Sequence, residues 1–125
     1  MPVVVLHVSQ ELSQGQRQAL AAEVRQATVA ALDLPPEFGK VILYASPPVQ
    51  RSVHPSRDPG FVLAEVHFFR GRGQEIKARL FAALDQAIRR HTGLSPENVF
   101  IHLLESPRHN WGLRGGRPAD EVELP

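Results

Sequence analysis

A proline at position 2 and two arginines one residue apart, Arg70 and Arg72, carry the most distinctive chemistry in this chain. A small second residue generally permits removal of the initiator methionine, and Pro2 would then begin the chain as a secondary amine. Such an amine is nucleophilic, carries a proton-accepting lone pair and is held rigid by its ring. An α-amino group has an ordinary pKa of ~7.7–8.0, and neighbouring cations lower it by destabilising the ammonium form. Beside two guanidiniums it becomes a neutral general base close to physiological pH. Arg-Gly-Arg at the end of a strand offers bidentate donors to a carboxylate or a phosphate. Each feature alone has a plainer reading: a proline at position two starts a strand, and single arginines are mostly solvated. The chemistry depends on a fold that brings them together.

The elements that would do so follow from apolar spacing. Val3-Val4-Val5-Leu6-His7-Val8 is β-branched and apolar and predicts a buried strand. Ser13 is a plausible N-cap for a helix with apolar positions Leu20, Val24, Ala27 and Ala31, ended by Pro35-Pro36. Lys40 to Ala45 is a second strand, closed by Pro47-Pro48, and residues 47–60 hold four of the 11 prolines, as expected of a long ordered loop. Phe61 to Phe69 is a third strand. Gln74 to His91 is a second helix, with Ile76, Leu80, Leu84, Ala87 and Ile88 along one side and Gly93 as C-cap. Val99 to Leu104 is a fourth strand, and 107–125 reads as a polar tail containing the only Trp.

Sliding residues 2–47 against 62–107 gives 12 identities in 46 positions, among them His7/His67, Leu20/Leu80, Pro36/Pro96, Glu37/Glu97 and Pro47/Pro107. Composition alone would supply about three. The chain is therefore an α/β (α+β) domain of tandem β-α-β repeats: repeat one at 2–47, a loop at 48–60, repeat two at 61–106 and the tail at 107–125. Right-handed crossovers between parallel strands let both helices lie on one face of a four-stranded mixed sheet. If a pseudo-twofold relates the repeats, their first strands run antiparallel at the centre. Pro2 at the start of strand one then lies beside Arg70 and Arg72 after strand three. Both arginines also depart from the repeat, standing opposite Gln10 and Leu12, and Pro2 stands opposite Val62. What both halves need for folding should recur in both, so departures are candidates for function.

With these residues in view, the chain resembles the tautomerase superfamily over nearly its whole length. Members begin Met-Pro, are built of β-α-β units and use the exposed N-terminal proline as catalytic base or acid. The resemblance is to the long, fused, trimer-forming branch with malonate semialdehyde decarboxylase-like and bacterial tautomerase-like proteins. It is carried by Pro2, by Arg70 and Arg72, and by Asn110-Trp111-Gly112-Leu113-Arg114-Gly115-Gly116 in the tail. It implies the tautomerase fold, a homotrimer, catalytic roles for Pro2, Arg70 and Arg72, and apolar substrate walls at Trp111 and Leu113; Phe38 is expected as a further wall. The decarboxylase-like enzymes carry an acidic residue soon after the helix-ending proline. Phe38 holds that place here, with Glu37 adjacent, and the match of Glu37 to Glu97 favours a turn or capping role for it.

Composition bounds the remaining classes. With 14 Lys+Arg against 13 Asp+Glu the net charge is +1, too weak a field to argue for nucleic acid or anionic membrane as partner. There is no Cys, which removes disulfide scaffolds and thiol nucleophiles. No apolar run is long enough to span a bilayer and no signal peptide is visible, so a soluble, cytoplasmic protein is expected. The six histidines show no ligand spacing; His7 and His67 recur with the repeat and read as structural strand residues, so no metal and no cofactor are expected. Arg114-Gly115-Gly116-Arg117 resembles a phosphate loop in composition only, and a flexible tail or intersubunit contact is the better reading. The expected function is a cofactor-independent tautomerase of small 2-oxo acids, with Pro2 as base and acid. Two alternatives stand beside it: a decarboxylase or hydratase of 3-oxo acids with Glu37 assisting, and a non-enzymatic ferredoxin-like binding module.

Overall fold

The computed structural model describes residues 1–124; Pro125, the last residue of the expected tail, lies outside them. β1 (Val3–Ser9), α1 (Gln14–Ala31), β2 (Lys40–Ser46), β3 (Val62–Phe69), α2 (Gln74–Thr92) and β4 (Val99–Ser106) follow the expected order. One mixed sheet has the order β2-β1-β3-β4, with β1 parallel to β2, β3 parallel to β4, and β1 antiparallel to β3. Val3 pairs with His67, so the start of β1 does lie beside the end of β3.

Side chains alternate across a strand. Val4, Leu6 and Val8 of β1 and Val62, Ala64, Val66 and Phe68 of β3 therefore all point under the helices. Leu20 and Val24 of α1 and Leu80, Leu84, Ala87 and Ile88 of α2 complete the same core. Burying one such Leu, Val or Phe contributes about 1.5–3 kcal/mol, so the shared core binds the two repeats to each other. The opposite face of the sheet has no helix over it among the described residues, and Ile42, Tyr44 and Phe100 there are roughly half exposed. No helix among those residues is long and apolar enough to cross a membrane.

Local signals act as expected at the start of α1 and differently at its end. Ser13 Oγ accepts the Gln16 N–H at 3.1 Å while Gln16 Oε1 accepts the Ser13 N–H at 2.8 Å, a reciprocal cap for α1. Pro35-Pro36, however, does not end α1. The helix stops at Ala31 because Asp33 turns left-handed at φ 54°, the repeat counterpart of Gly93 at φ 72° after α2. Aspartate tolerates that conformation better than most side chains. Thr28 and Val29 are buried where Ala27 was expected to be, and Thr28 Oγ1 donates to Val24 O at 2.7 Å, which satisfies its hydroxyl. β3 begins at Val62, not Phe61, since the Phe61 N–H closes a turn onto Asp58 O.

Residues 107–124 are also built, so of the two readings of residues 114–117, flexible tail or intersubunit contact, the first gives way. A 3-10 turn at Arg108–Asn110 leads into a hairpin of β5 (Gly112–Leu113) and β6 (Arg117–Pro118), then a second 3-10 turn at Ala119–Glu121 that buries Ala119. Arg114, Gly115 and Gly116 all have positive φ, so the Gly-Gly pair serves a tight hairpin turn.

Gly39 is the tight point before β2. Its φ is 82°, and a Cβ there would stand 2.7 Å from Val29 Cγ1. Gly39→Ala is expected to destabilise the fold by about 1–3 kcal/mol. An unchanged thermal midpoint would show that α1 and the start of β2 are not packed this closely.

Candidate active site

The N-terminus enters the sheet where β3 leaves it. Pro2 is buried and its carbonyl accepts the Lys40 N–H at 3.0 Å. Met1 lines a cleft together with Leu34, Phe38, Phe69, Arg72, Arg108 and Leu124. With Met1 in place the free volume is about 30 Å³, room for only about two water molecules. A second cavity of about 320 Å³ shares Met1, Phe38 and Leu124 and adds Glu37, Lys40, Leu113 and Arg114.

The electrostatics of this end of the sheet are cationic. The Met1 amine is held below its ordinary pKa, first by burial and then by the Lys40 and Arg72 charges. Arg72 is pushed down too, by burial and then by Arg108, against an upward pull from Glu105. Lys77 Nζ already engages the Glu105 carboxylate at 2.7 Å. Aromatic rings hold the guanidiniums in place. Arg72 lies 5.3 Å from the Phe68 ring centroid and donates a long bond, 3.4 Å, to Phe69 O, while Arg108 lies 4.9 Å from the Phe69 centroid. Trp111 meets the Phe69 ring edge-on at 5.6 Å, and its indole N–H is buried with no acceptor among the described residues.

Of the residues singled out in the sequence, Arg72 and Phe38 share the cleft with the N-terminus. Glu37 and Leu113 line the adjoining cavity, and Trp111 backs Phe69. Arg70 is exposed and is not among the residues lining the cleft; its backbone N–H donates to Ser106 O at 2.9 Å. Arg108, Lys40 and Leu124 were missed. For Arg108 a signal existed: sixty places earlier stands Pro48, and the 2–47 comparison window stops one residue short of it. Among the described residues no group of three His, Cys, Asp or Glu side chains is placed to hold a metal. His7 and His67 flank Glu65 on the open sheet face, His7 Nε2 at 2.7 Å and His67 Nε2 at 3.9 Å from its carboxylate oxygens.

A larger cavity, about 580 Å³, includes Val53, Phe61, Glu97, Asn98 and Phe100 in its lining. These are the sixty-residue counterparts of Leu113, Met1, Glu37, Phe38 and Lys40. It is the same place in the other repeat, but Phe61 lies in mid-chain and brings no amine. Arg51, the counterpart of Trp111, is spent on structure: its N–H groups donate to Ser46 Oγ, Pro59 O and Phe61 O at 2.6–2.8 Å. Size alone would select this cavity, and chemistry selects the smaller one.

A family model described as tautomerase enzyme matches residues 41–114. Among solved structures, the chain is similar to Pt0534 inactivated by 2-oxo-3-pentynoate, at 25% identity and TM-score 0.87 over 94% of this chain and 96% of that one. It is similar to FG41 malonate semialdehyde decarboxylase inhibited by 3-bromopropiolate, at 27% identity and TM-score 0.82 over 98% and 99%. A fused 4-OT in its wild-type symmetric trimer gives 24% identity and TM-score 0.86 over 94% and 96%, a likeness of fold. No curated protein matches the chain by sequence.

Proposed function

The chain belongs to the tautomerase enzyme family, and from that footing we propose that it is a cofactor-independent tautomerase of small 2-oxo acids with the Pro2 amine as its proton carrier. The observation that carries this reading is the chain's terminal amine, here that of Met1, held at the start of β1 in the cleft that Arg72 lines, with its pKa lowered by burial and then by the Lys40 and Arg72 charges. Loss of Met1 would open the cleft and make the nitrogen of the adjoining residue, Pro2, the terminal amine. Arg72 would bind the substrate carboxylate and stabilise negative charge developing on the 2-oxygen. The enol hydroxyl passes its proton to Pro2 nitrogen, leaving an enolate whose C2–O bond becomes a carbonyl only as C3 is protonated. The C2=C3 electron pair then takes a proton from the prolinium at C3, which restores the free amine. Phe38 and Leu113 supply apolar walls, and Trp111 backs the wall formed by Phe69.

The 2-oxo acid that inactivates Pt0534 supports this substrate class. The exposed Ile42, Tyr44 and Phe100 on the open sheet face, with the trimeric fused 4-OT as a structural relative, support a homotrimer, to be tested by analytical ultracentrifugation. The activity is tested on protein shown by intact mass to lack Met1, by following ketonisation of phenylenolpyruvate; a rate no better than buffer removes the reading. Similarity to a malonate semialdehyde decarboxylase favours a second reaction at the same site, and release of acetaldehyde from malonate semialdehyde would reveal it.

A base works in its unprotonated form, so a lowered amine pKa extends activity to lower pH. Lys40→Gln removes one cause of that lowering. The acidic limb of kcat/KM is expected to move to higher pH in this variant, and an unmoved limb would exclude Lys40 from tuning the amine.

A further inference from the structure

We infer that Arg108 joins Arg72 as the carboxylate-binding pair of this cleft, in the place the Arg-Gly-Arg motif would give to Arg70. The inference rests on the tautomerase reading for the 2-oxo acid as ligand, and on its own geometry for the arginines. Both guanidiniums line the cleft at the N-terminus, and Arg70 does not. Each lies over a ring, Phe68 for Arg72 and Phe69 for Arg108, which are consecutive residues at the end of β3. A guanidinium stacked by its face keeps its N–H edge free, and that edge matches a carboxylate.

The two edges are almost unused. Among the described residues Arg72 makes the one long bond to Phe69 O, and Arg108 makes no side-chain hydrogen bond or ion pair. Arg51, also stacked on a phenylalanine, shows the structural alternative, with its N–H groups filled by protein oxygens. Glu105 offsets part of the charge felt by Arg72 but is itself engaged by Lys77, so the two cations still repel each other, and an anion between them relieves that repulsion. Arg108 also meets the criterion that singled out Arg72: its repeat counterpart, Pro48, cannot do the same work. The 3-10 turn at Arg108–Asn110 continues directly from β4 through Pro107, so Arg108 is carried by the sheet.

The probe is pyruvate, a carboxylate with a 2-oxo group, titrated calorimetrically into Met1-free protein. Arg108→Gln is expected to weaken binding roughly 10- to 100-fold, the usual effect of losing hydrogen bonds to a charged group. Arg108→Lys keeps the charge without the planar fork and should fall between. Arg70→Gln should change affinity less than about threefold, at the level of a screened surface charge. The thermal midpoint of Arg108→Gln should be unchanged or higher, since a like-charge contact is relieved, so lost binding would not be lost folding. Equal or greater weakening by Arg70→Gln, no weakening by Arg108→Gln, or no saturable pyruvate binding by the parent chain would each overturn the inference. If the affinities behave as expected while phenylenolpyruvate is not turned over, the arginine pair stands and the tautomerase reading fails.

Discussion

Protein that keeps Met1 is expected to be at least about 100-fold slower than protein from which it has been removed, the lower end of what general acid–base catalysis contributes. Two physical effects act together. In a Met1-Pro2 peptide bond the proline nitrogen is a tertiary amide with its lone pair delocalised into the carbonyl, so it accepts no proton. Met1 also lines the cleft and leaves about 30 Å³, too little for a 2-oxo acid. The comparison needs two preparations of known intact mass, one made with methionine removal blocked by a bulky residue inserted after Met1. Pro2→Ala separates the two effects, since it keeps a free amine and an open cleft but replaces the rigid secondary amine with a flexible primary one. A loss of about tenfold or more is expected for it. Equal rates for all three proteins would remove Pro2 from the mechanism.

Phe68→Ala is expected to have the largest effect on stability, about 3–5 kcal/mol, as a fully buried aromatic truncated to a cavity. The ring is 1% exposed and belongs to the common core of both repeats. A domain of this size has only about 5–15 kcal/mol in total, so the urea midpoint should fall steeply with little change in slope. The same ring carries Arg72, 5.3 Å from its centroid. Phe68→Leu therefore separates the roles: it keeps most of the core volume but gives up the ring, so KM should rise in a protein that still folds. A loss below about 1 kcal/mol for Phe68→Ala would show that the core closes without this ring.

The strands and helices were legible because each exposes its burial pattern within a few residues. Period two in Val4, Leu6 and Val8, and steps of three and four in Leu80, Leu84, Ala87 and Ile88, report which side faces the core. The repeat then supplied topology, since two copies of one β-α-β unit about a pseudo-twofold leave few ways to pair β1 with β3. The end of α1 was misread because Pro35-Pro36 is the louder signal, while a single left-handed Asp33 ended the helix earlier. The hairpin beyond residue 110 is hidden in the sequence for a related reason. A turn built from Arg114, Gly115 and Gly116 has the composition of a mobile tail, and only Ala119 buried behind it shows otherwise.

By itself the sequence determined the duplicated architecture, the meeting of strand one's start with strand three's end, and the candidacy of Pro2 and Arg72. Those follow from periodicity and from an internal comparison, both properties of one dimension. The tertiary structure decided that Arg72 faces the N-terminus while Arg70 is left in solvent, that Arg108 reaches the same cleft from beyond β4, and that Met1 lines it. Once a chain leaves its last ladder hydrogen bond, no period governs where a side chain points. Its direction is then set by the surfaces it meets, here the Phe68 and Phe69 rings brought up by the fold.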